Sequence, residues 1–331
     1  MVGPPPDSWQ VPPERARAFE LAPGVWQLRL PLPWPLVPHV NAYWLAGERV
    51  LVDCGSAGHP SHRASLSAAL EIAGAKVADV RTLVGTHAHS DHIGLAQWVI
   101  EASGCEFLMH PDTGHFYDAT REPERIDAAR RRRARAEGVP EAELPNYGDV
   151  AEEVDGVLAA VEPTRPIREG DAIGRWTVVE TPGHAPTHVV LVDAQRGEII
   201  LGDLLSPAFT PWFDYGYSND PVAEFLGSLD RVEALGPFAL ALPGHGRALE
   251  HVPTIIAEHR AGVAARLDQT VAAIRDGAGN GYEITRRVFG NQGATAMVWR
   301  LTETAAYLRH LRLAGLVSRE QAADGRFVYR A

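Results

Sequence analysis

The chain of 331 residues is 45% hydrophobic and 22% charged, which is typical of a globular protein with one substantial core and room for a small appended domain. Its net charge of −11 excludes a whole-molecule attraction to nucleic acid or to an anionic membrane. The two cysteines, Cys54 and Cys105, cannot form a disulfide framework, and no apolar stretch approaches the roughly 20 residues of a membrane span. We therefore expect a cytoplasmic protein with no membrane contacts.

The first part of the chain predicts several strands and one helix. Residues 1–18 are rich in proline and predict an extended arm, because proline disfavours both helix and central strand. From Val25 onward, alternating apolar residues predict strands in VWQLRLPLP, HVNAYWLA and RVLVDCG. Helical spacing follows in PSHRASLSAALEIAGA, and a buried strand is predicted for VRTLVGTH. The segment THAHSDH, residues 86–92, therefore begins where a strand ends.

The second part of the chain changes character twice. Residues 113–160 are charged and rich in alanine, which predicts a helical insertion. Strands are then predicted in WTVVETPGH, HVVLVDA, GEIILGDLL and FALALPGHG, with an aromatic loop and a helix before the last of them. Residues 258–331 predict three helices and a two-stranded ribbon, which is the order of a winged helix. We place a domain boundary after residue 257.

The segment THAHSDH concentrates side chains that bind metals. Imidazole and carboxylate groups suit zinc and other borderline metals, and a strand-to-helix turn can point them toward two ions. The segment supplies four candidate ligands: His87, His89, Asp91 and His92. Four ligands cannot fill two sites, and further candidates follow other apolar strands beside glycines: His184 in TPGHAP, Asp203 in ILGDLL and His245 in LPGHG.

The order of these motifs resembles the metallo-β-lactamase superfamily, in particular its glyoxalase II-like binuclear hydrolases. The resemblance covers residues 19–257 and implies an α/β fold, a four-layer αββα sandwich with the metal site along one sheet edge. It also implies a ligand set, in which one ion is bound by His87, His89 and His184, the second is bound by Asp91, His92 and His245, and Asp203 bridges them. Asp53 in LVDCG matches the aspartate that braces the HxHxDH loop. The implied cofactors are two zinc ions, with iron or manganese as alternatives.

A binuclear site of this kind predicts hydrolysis of a thioester, ester or lactone by a hydroxide that bridges the metals. Asp91 would receive or relay the proton that the leaving group requires, so it is also the candidate catalytic residue. A pocket wall is predicted from the aromatic loop, although its residues could instead pack the loop onto the sheet: Phe209, Trp212, Phe213, Tyr215 and Tyr217. Ser90, His110 and His188 are interpreted as structural, and His115 is left undecided.

The C-terminal segment leaves the partner open. It is similar to the winged-helix tail of lactamase-like hydrolases that include endoribonucleases, which counts against a glutathione thioester. Its eleven arginines against seven acidic residues permit nucleic-acid contact, but we favour a lid or dimer-contact domain and a small-molecule substrate. Arg130 to Arg133 could meet an anionic group, but we favour a solvated face. The alternative functions are a metal-dependent endoribonuclease, a mononuclear iron persulfide-type dioxygenase and a non-enzymatic nucleic-acid-binding regulator.

Overall fold

A computed structural model of the protein describes residues 17–34, 37–148, 156–207, 212–291 and 293–331. Its first sheet has seven strands that follow one another in chain order. These strands are β1 Arg17–Ala22, β2 Val25–Trp34, β3 Val37–Leu45, β4 Val50–Val52, β5 Thr82–Val84, β6 Glu106–Met109 and β7 Arg165–Pro166. The pairs from β1 to β4 are antiparallel, and those from β4 to β7 are parallel. The parallel half therefore ends at one common edge.

The second sheet has five strands in the order β12-β11-β10-β9-β8. These strands are β8 Ala172–Ile173, β9 Trp176–Glu180, β10 Val189–Asp193, β11 Glu198–Gly202 and β12 Leu240–Pro243. Strands β8 to β11 are antiparallel, whereas β11 and β12 are parallel, with Gly202 opposite Pro243. Because these two residues are in register, the chain leaves both strands side by side at the same edge.

Helices cover both sheets. Before the second sheet lie α1 Ser61–Ile72, α2 Ser90–Ile93, α3 Ala96–Ser103, α4 Gly114–Arg121, α5 Pro123–Ala136 and α6 Leu144–Gly148. The later helices are α7 Pro221–Leu235, α8 Val252–Arg275, α9 Gly281–Phe289 and α10 Ala294–Leu313. A ribbon follows, formed by the antiparallel strands β13 Ser318–Gln321 and β14 Phe327–Arg330. Among the described helices, none is both long and apolar enough to cross a membrane.

Alternation along the strands divides the core into three layers. On β10, Leu191 packs between the two sheets while Val190 packs against the outer helices. On β3, Tyr43 likewise faces the other sheet while Trp44 faces the opposite layer of helices. Successive side chains of a strand point to opposite faces, so each sheet buries both of its faces. The predicted four-layer αββα sandwich is confirmed.

Several sequence predictions have a counterpart in these elements. Helices α4 to α6 lie within residues 113–160, where a helical insertion was predicted; residues 149–155 lie outside the described part. Most of the proline-rich arm also lies outside it, but its last two residues belong to β1, an edge strand that was not predicted. The last three helices and the ribbon occur in the predicted order. The winged-helix identity and the domain divisions stay predictions, and α8 runs through the boundary proposed after residue 257.

Candidate metal centre

Strand ends bring the predicted metal ligands to one edge of the sandwich. The segment THAHSDH follows β5, and its last residues form the short helix α2, which carries Asp91 and His92. Asp203 comes directly after β11, and His245 lies just beyond its parallel neighbour β12. His184 follows β9 in the same sheet. The register of parallel β11 and β12 therefore places two candidate ligands side by side.

Three imidazoles form the first group of candidate ligands. Nε2 of His87 lies 3.0 Å from Nδ1 of His89, and Nε2 of His184 lies 3.0 Å from the same atom. In two of these rings, the nitrogen that points away from the group donates a hydrogen bond. Nε2 of His89 donates to Asp214 Oδ2 at 2.9 Å, and Nδ1 of His184 donates to the Trp212 carbonyl at 3.1 Å. An N–H on the outward nitrogen leaves a lone pair on the inward nitrogen of the neutral ring. The inward nitrogens of the three rings therefore lie close enough together to hold one ion.

Asp53 holds the ring of His92 directly and the ring of His87 through Thr86. Its Oδ2 accepts from Nδ1 of His92 at 2.8 Å and from the Thr86 hydroxyl at 2.9 Å, while Oδ1 accepts the Thr86 amide at 2.8 Å. Because the Thr86 hydroxyl donates to Asp53, its oxygen accepts from Nδ1 of His87 at 3.0 Å. Asp53 has a φ of +58°, a left-handed conformation that costs free energy for any residue with a side chain. Asp53 thus contacts both ends of the segment from Thr86 to His92, and its bracing role stays a prediction.

Asp203 lies between the two predicted ligand groups. Its Oδ1 is 3.3 Å from Nε2 of His92, and its Oδ2 is 3.2 Å from Nε2 of His245 and 3.7 Å from Nε2 of His184. Asp91 Oδ2 lies 3.3 Å from Nε2 of His245 and 3.6 Å from Nε2 of His92. Nδ1 of His245 points outward and donates to a backbone carbonyl at 2.9 Å. All five imidazoles therefore present an inward nitrogen to the carboxylates or to one another.

The packing around Asp203 fits a cation. Nε2 of His92 and Oδ1 of Asp203 are buried and lie 3.3 Å apart, but neither has a well-aligned hydrogen-bond partner among the described residues. A Cβ atom at Gly244 would lie 2.1 Å from Asp203 Oδ1 and 2.8 Å from a ring carbon of His92, so only glycine leaves room there. Buried polar atoms normally have partners, and histidine nitrogens and carboxylate oxygens are common ligands of divalent metals. The donor set therefore fits the metal ions that the sequence predicts.

Burial and neighbouring charges shift the pKa values of these groups in opposite directions. Burial lowers the pKa of His184 to about 4, and it holds the pKa of His87 well below the usual range. Burial also opposes charge on His245, but the carboxylates of Asp203 and Asp91 outweigh it and raise its pKa to about 10. The same balance holds the pKa of His92 well above its usual range. These low pKa values favour neutral rings at His87 and His184. In the second group, the imidazoles of His92 and His245 are paired with carboxylates.

His188 supports Asp203 without entering either group. Its Nε2 accepts from the backbone amide of Asp203 at 3.0 Å, and its Nδ1 therefore donates to the Thr181 hydroxyl at 2.8 Å. Burial holds the pKa of His188 well below its usual range, which keeps Nε2 available as an acceptor. The ring fixes the direction in which the chain leaves β11, and this agrees with the structural interpretation of His188.

Asp214 is a site residue that the sequence analysis missed. Besides its bond to His89, its Oδ1 accepts from Nε1 of Trp212 at 3.2 Å, and its Oδ2 lies 3.4 Å from Nε2 of His115. Its backbone amide donates to the carbonyl of His184 at 3.1 Å, which joins the aromatic loop to the loop after β9. The available signal was a lone carboxylate in the run WFDYGY. A carboxylate that orients a metal-binding imidazole raises the affinity of that imidazole for the metal.

The aromatic residues predicted as a pocket wall divide into different environments. Trp212 lines a small cavity beside His184 and Asp203. Phe213 is fully buried in the core against Phe225, so its side chain cannot form a pocket wall. The remaining members of the set are the half-buried Tyr215, the exposed Tyr217, and Phe209, which lies outside the described residues. The side chain of Phe213 instead packs the loop onto the sheet, which is the alternative that the sequence left open.

The comparisons with known proteins agree with this geometry. A family model described as the metallo-beta-lactamase superfamily matches residues 36–245. The chain is 30% identical to a metallo-beta-lactamase family protein from Thermus thermophilus, covering 94% of this chain and 99% of that one with a TM-score of 0.80. It is also 30% identical to a beta-lactamase domain protein from Burkholderia ambifaria, with coverages of 95% and 94% and a TM-score of 0.77.

A curated relative from Bacillus subtilis (strain 168) is named as the probable metallo-hydrolase YqjP. It is 26% identical over 295 residues, which span 85% of this chain and 90% of the relative. The family model covers more than half of the chain and includes all of the candidate metal ligands. The chain belongs to the metallo-β-lactamase superfamily.

Proposed function

We propose that the protein is a binuclear metal-dependent hydrolase of small thioesters, esters or lactones. The observation that carries the proposal is the position of Asp203, whose two carboxylate oxygens lie 3.2 Å and 3.3 Å from imidazole nitrogens of His245 and His92 and within 3.7 Å of His184. A carboxylate shared in this way suits two cations held close together. Superfamily membership and the probable metallo-hydrolase relative support hydrolase activity.

The metallo-β-lactamase fold implies divalent metal ions, and we propose two zinc ions, with iron or manganese as alternatives. The ions would be held as the sequence predicts, by the first group His87, His89 and His184, by the second group Asp91, His92 and His245, and by Asp203 between them. When bound, such ions lower the pKa of water and neutralise charge that develops on a carbonyl oxygen. Imidazole and carboxylate ligands suit zinc.

The protein's own residues would supply orientation and proton transfer. Asp53 and Asp214 hold the rings of His92 and His89, so that the ligand nitrogens need little rearrangement when a metal binds. Asp91 is buried next to His245, and its carboxylate is the group we propose to carry a proton to the leaving group.

Metal analysis of the wild type and of Asp203→Ala tests the proposal. The protein is purified without chelators, and elemental analysis is followed by assays on thioesters, esters, lactones and a single-stranded RNA. We expect about two zinc ions per chain in the wild type, no more than about one in Asp203→Ala, and hydrolysis of a small carbonyl substrate that falls at least about 100-fold in the variant. A matched control is Asp112→Asn, because Asp112 is exposed and contacts Arg168 instead of the site.

Other outcomes would assign another function. About one iron per chain with no hydrolysis would favour the persulfide-type dioxygenase. Cleavage of RNA with no turnover of small substrates would favour the endoribonuclease. Full metal content in Asp203→Ala would contradict the shared role that we give to this carboxylate.

A further inference from the structure

A second concave site lies away from the candidate metal ligands, between the helical insertion, the aromatic loop and the C-terminal segment. It is an open cavity of about 420 Å³. Its cationic lining consists of Arg132 and Arg133 of α5, Arg309 of α10 and Arg319 of β13. We call these four residues the arginine pocket. The chain as a whole carries a net charge of −11, so this local concentration of cations runs against its overall charge.

Neutral groups hold these guanidinium groups in place. Nη1 of Arg133 donates to the backbone carbonyl of Tyr215 at 2.9 Å, and its guanidinium lies 5.0 Å from the centre of the same residue's ring. The guanidinium of Arg319 lies 3.9 Å from the centre of the Phe327 ring. Carbonyl and aromatic contacts orient an arginine without neutralising it. The charges of both residues therefore remain available to a ligand.

The other two arginines are not neutralised either. Nε of Arg309 donates to the backbone carbonyl of Asn219 at 2.6 Å, and its Nη2 donates to the side-chain oxygen of the same residue. Within the described ranges, no carboxylate lies within ion-pair distance of any guanidinium of the arginine pocket, Arg132 included. Like charges gathered in one concavity repel one another, and an anion between them would relieve the repulsion.

Glu137 supplies the one carboxylate that lines the cavity within the described part of the chain, and it offsets little of this charge. Its side chain is buried, and both of its oxygens lie 3.0 Å from the hydroxyl of Tyr329. Burial raises the pKa of Glu137 to about 7, although Tyr329 and neighbouring arginines lower it. At neutral pH this carboxyl group is therefore partly protonated, and four cations face less than one full negative charge.

We propose that the arginine pocket is a binding site for a small phosphorylated molecule. Guanidinium groups bind phosphate oxygens through two parallel hydrogen bonds, and several of them together match a polyphosphate or a phosphate ester. The volume of about 420 Å³ falls within the usual range for small-molecule sites, and Tyr215 and Phe327 add apolar surface for an organic group. A charge run such as Arg130 to Arg133 usually forms a solvated face, but two of these four residues line the cavity.

This site is separate from the proposed hydrolase chemistry, although one loop contacts both. Tyr215 lines the arginine pocket, while the preceding residue, Asp214, contacts the candidate ligand His89. The proposal does not depend on which reaction the metal centre performs. A concavity enclosed by three separate segments of the chain favours a small ligand over a nucleic-acid strand, which would need an extended groove.

Titration calorimetry with inorganic pyrophosphate tests the proposal on the full chain. We expect saturable binding to one site in the wild type, weakened at least about tenfold in Arg132→Gln and in Arg319→Gln, since each would lose charge-assisted hydrogen bonds. The matched control is Arg135→Gln on the same helix, because Arg135 is exposed and is paired with Glu141. This control should bind pyrophosphate within about twofold of the wild type. Arg132 is also exposed, so its substitution should leave the fold intact.

Three kinds of result would overturn the proposal, and the third kind has two forms. The first is no binding of pyrophosphate at about 1 mM in low salt, since a site of four arginines should bind it more tightly than that. The second is an equal loss of binding in Arg135→Gln, which would indicate a general charge effect. The third concerns the ligand: citrate that binds as tightly as pyrophosphate would assign the site to carboxylates, and a short single-stranded RNA that displaces pyrophosphate would assign it to nucleic acid.

Discussion

Replacing Asp214 should weaken metal binding at the group formed by His87, His89 and His184. Asp214 Oδ2 accepts the outward N–H of His89 at 2.9 Å, and this bond keeps the Nδ1 lone pair of His89 directed at the other two nitrogens. Without the acceptor, the ring can turn or take the other tautomer, and each change must be reversed when a metal binds. The effect should therefore appear in metal affinity before it appears in folding.

The size of the effect follows from the contacts of Asp214. Removal of an outer carboxylate from a metal-binding imidazole typically costs about 10- to 100-fold in affinity, or about 1.4 to 2.8 kcal/mol. Asparagine retains one oxygen that can accept from His89, but its amide nitrogen cannot accept the Nε1–H of Trp212, so Asp214→Asn should lose about tenfold in metal affinity. Alanine removes both contacts, and Asp214→Ala should lose about 100-fold.

Competition with a chromogenic zinc chelator measures this affinity. Asp112→Asn is the control, since it also removes one negative charge but contacts Arg168 at an exposed position. The control should retain wild-type affinity and the two Asp214 variants should rank as above. Wild-type affinity in Asp214→Ala, or an equal loss in Asp112→Asn, would refute the orienting role. A loss in all three variants would point to general electrostatics.

Three further predictions concern stability and the bridging carboxylate. The pKa of Glu137 is about 7 in the folded state and 4.5 for the ordinary group, so the folded state binds a proton more tightly. The free energy of unfolding should therefore fall as the pH rises from about 4.5 to about 7. This loss amounts to about 3 kcal/mol, and Glu137→Gln should remove most of the difference between urea unfolding at pH 5 and at pH 8. The same pH dependence of stability in the variant and the wild type would contradict the role given to Glu137. Gly244→Ala should displace the carboxylate of Asp203 and lower the metal content in elemental analysis, and full content would show that the loop can shift. Phe213→Ala, which empties a fully buried site, should destabilise the protein by about 3 to 5 kcal/mol in thermal unfolding, whereas a loss below about 1 kcal/mol would contradict its place in the core.

The sequence was most informative about the candidate ligands, because a histidine or aspartate directly after an apolar strand has few other roles. Each candidate ligand follows an apolar strand, and strand ends in a layered α/β protein gather at common edges. The register of Gly202 with Pro243 explains why Asp203 and His245 meet although they are separated by a loop, a helix and a strand. The continuous apolar run of β10 is typical of a strand buried on both faces, because a strand with one buried face alternates apolar and polar residues.

The sequence was less informative where the outcome depends on how a loop returns to the sheet. Asp214 and Phe213 are neighbours, yet one contacts a candidate ligand and the other fills the core. Their directions are set by contacts with residues far away in the chain, such as His89 and Tyr307. Strand β1 was missed because it is an edge strand, largely exposed, with little apolar alternation. No local pattern carries such information.

The contacts outside the candidate ligands divide the site into parts that respond differently to mutation. Two of the five imidazoles donate their outward N–H to backbone carbonyls, which no side-chain substitution removes. His89 and His92 depend instead on the carboxylates of Asp214 and Asp53. Asp53 also accepts two bonds from Thr86 and adopts a left-handed backbone conformation, so its replacement would disturb the loop itself. Asp214 lies on the loop that also lines the arginine pocket, outside the sheet. Of the two carboxylates, Asp214 is therefore the one whose replacement should change metal affinity with the smaller effect on the structure of the sheet edge.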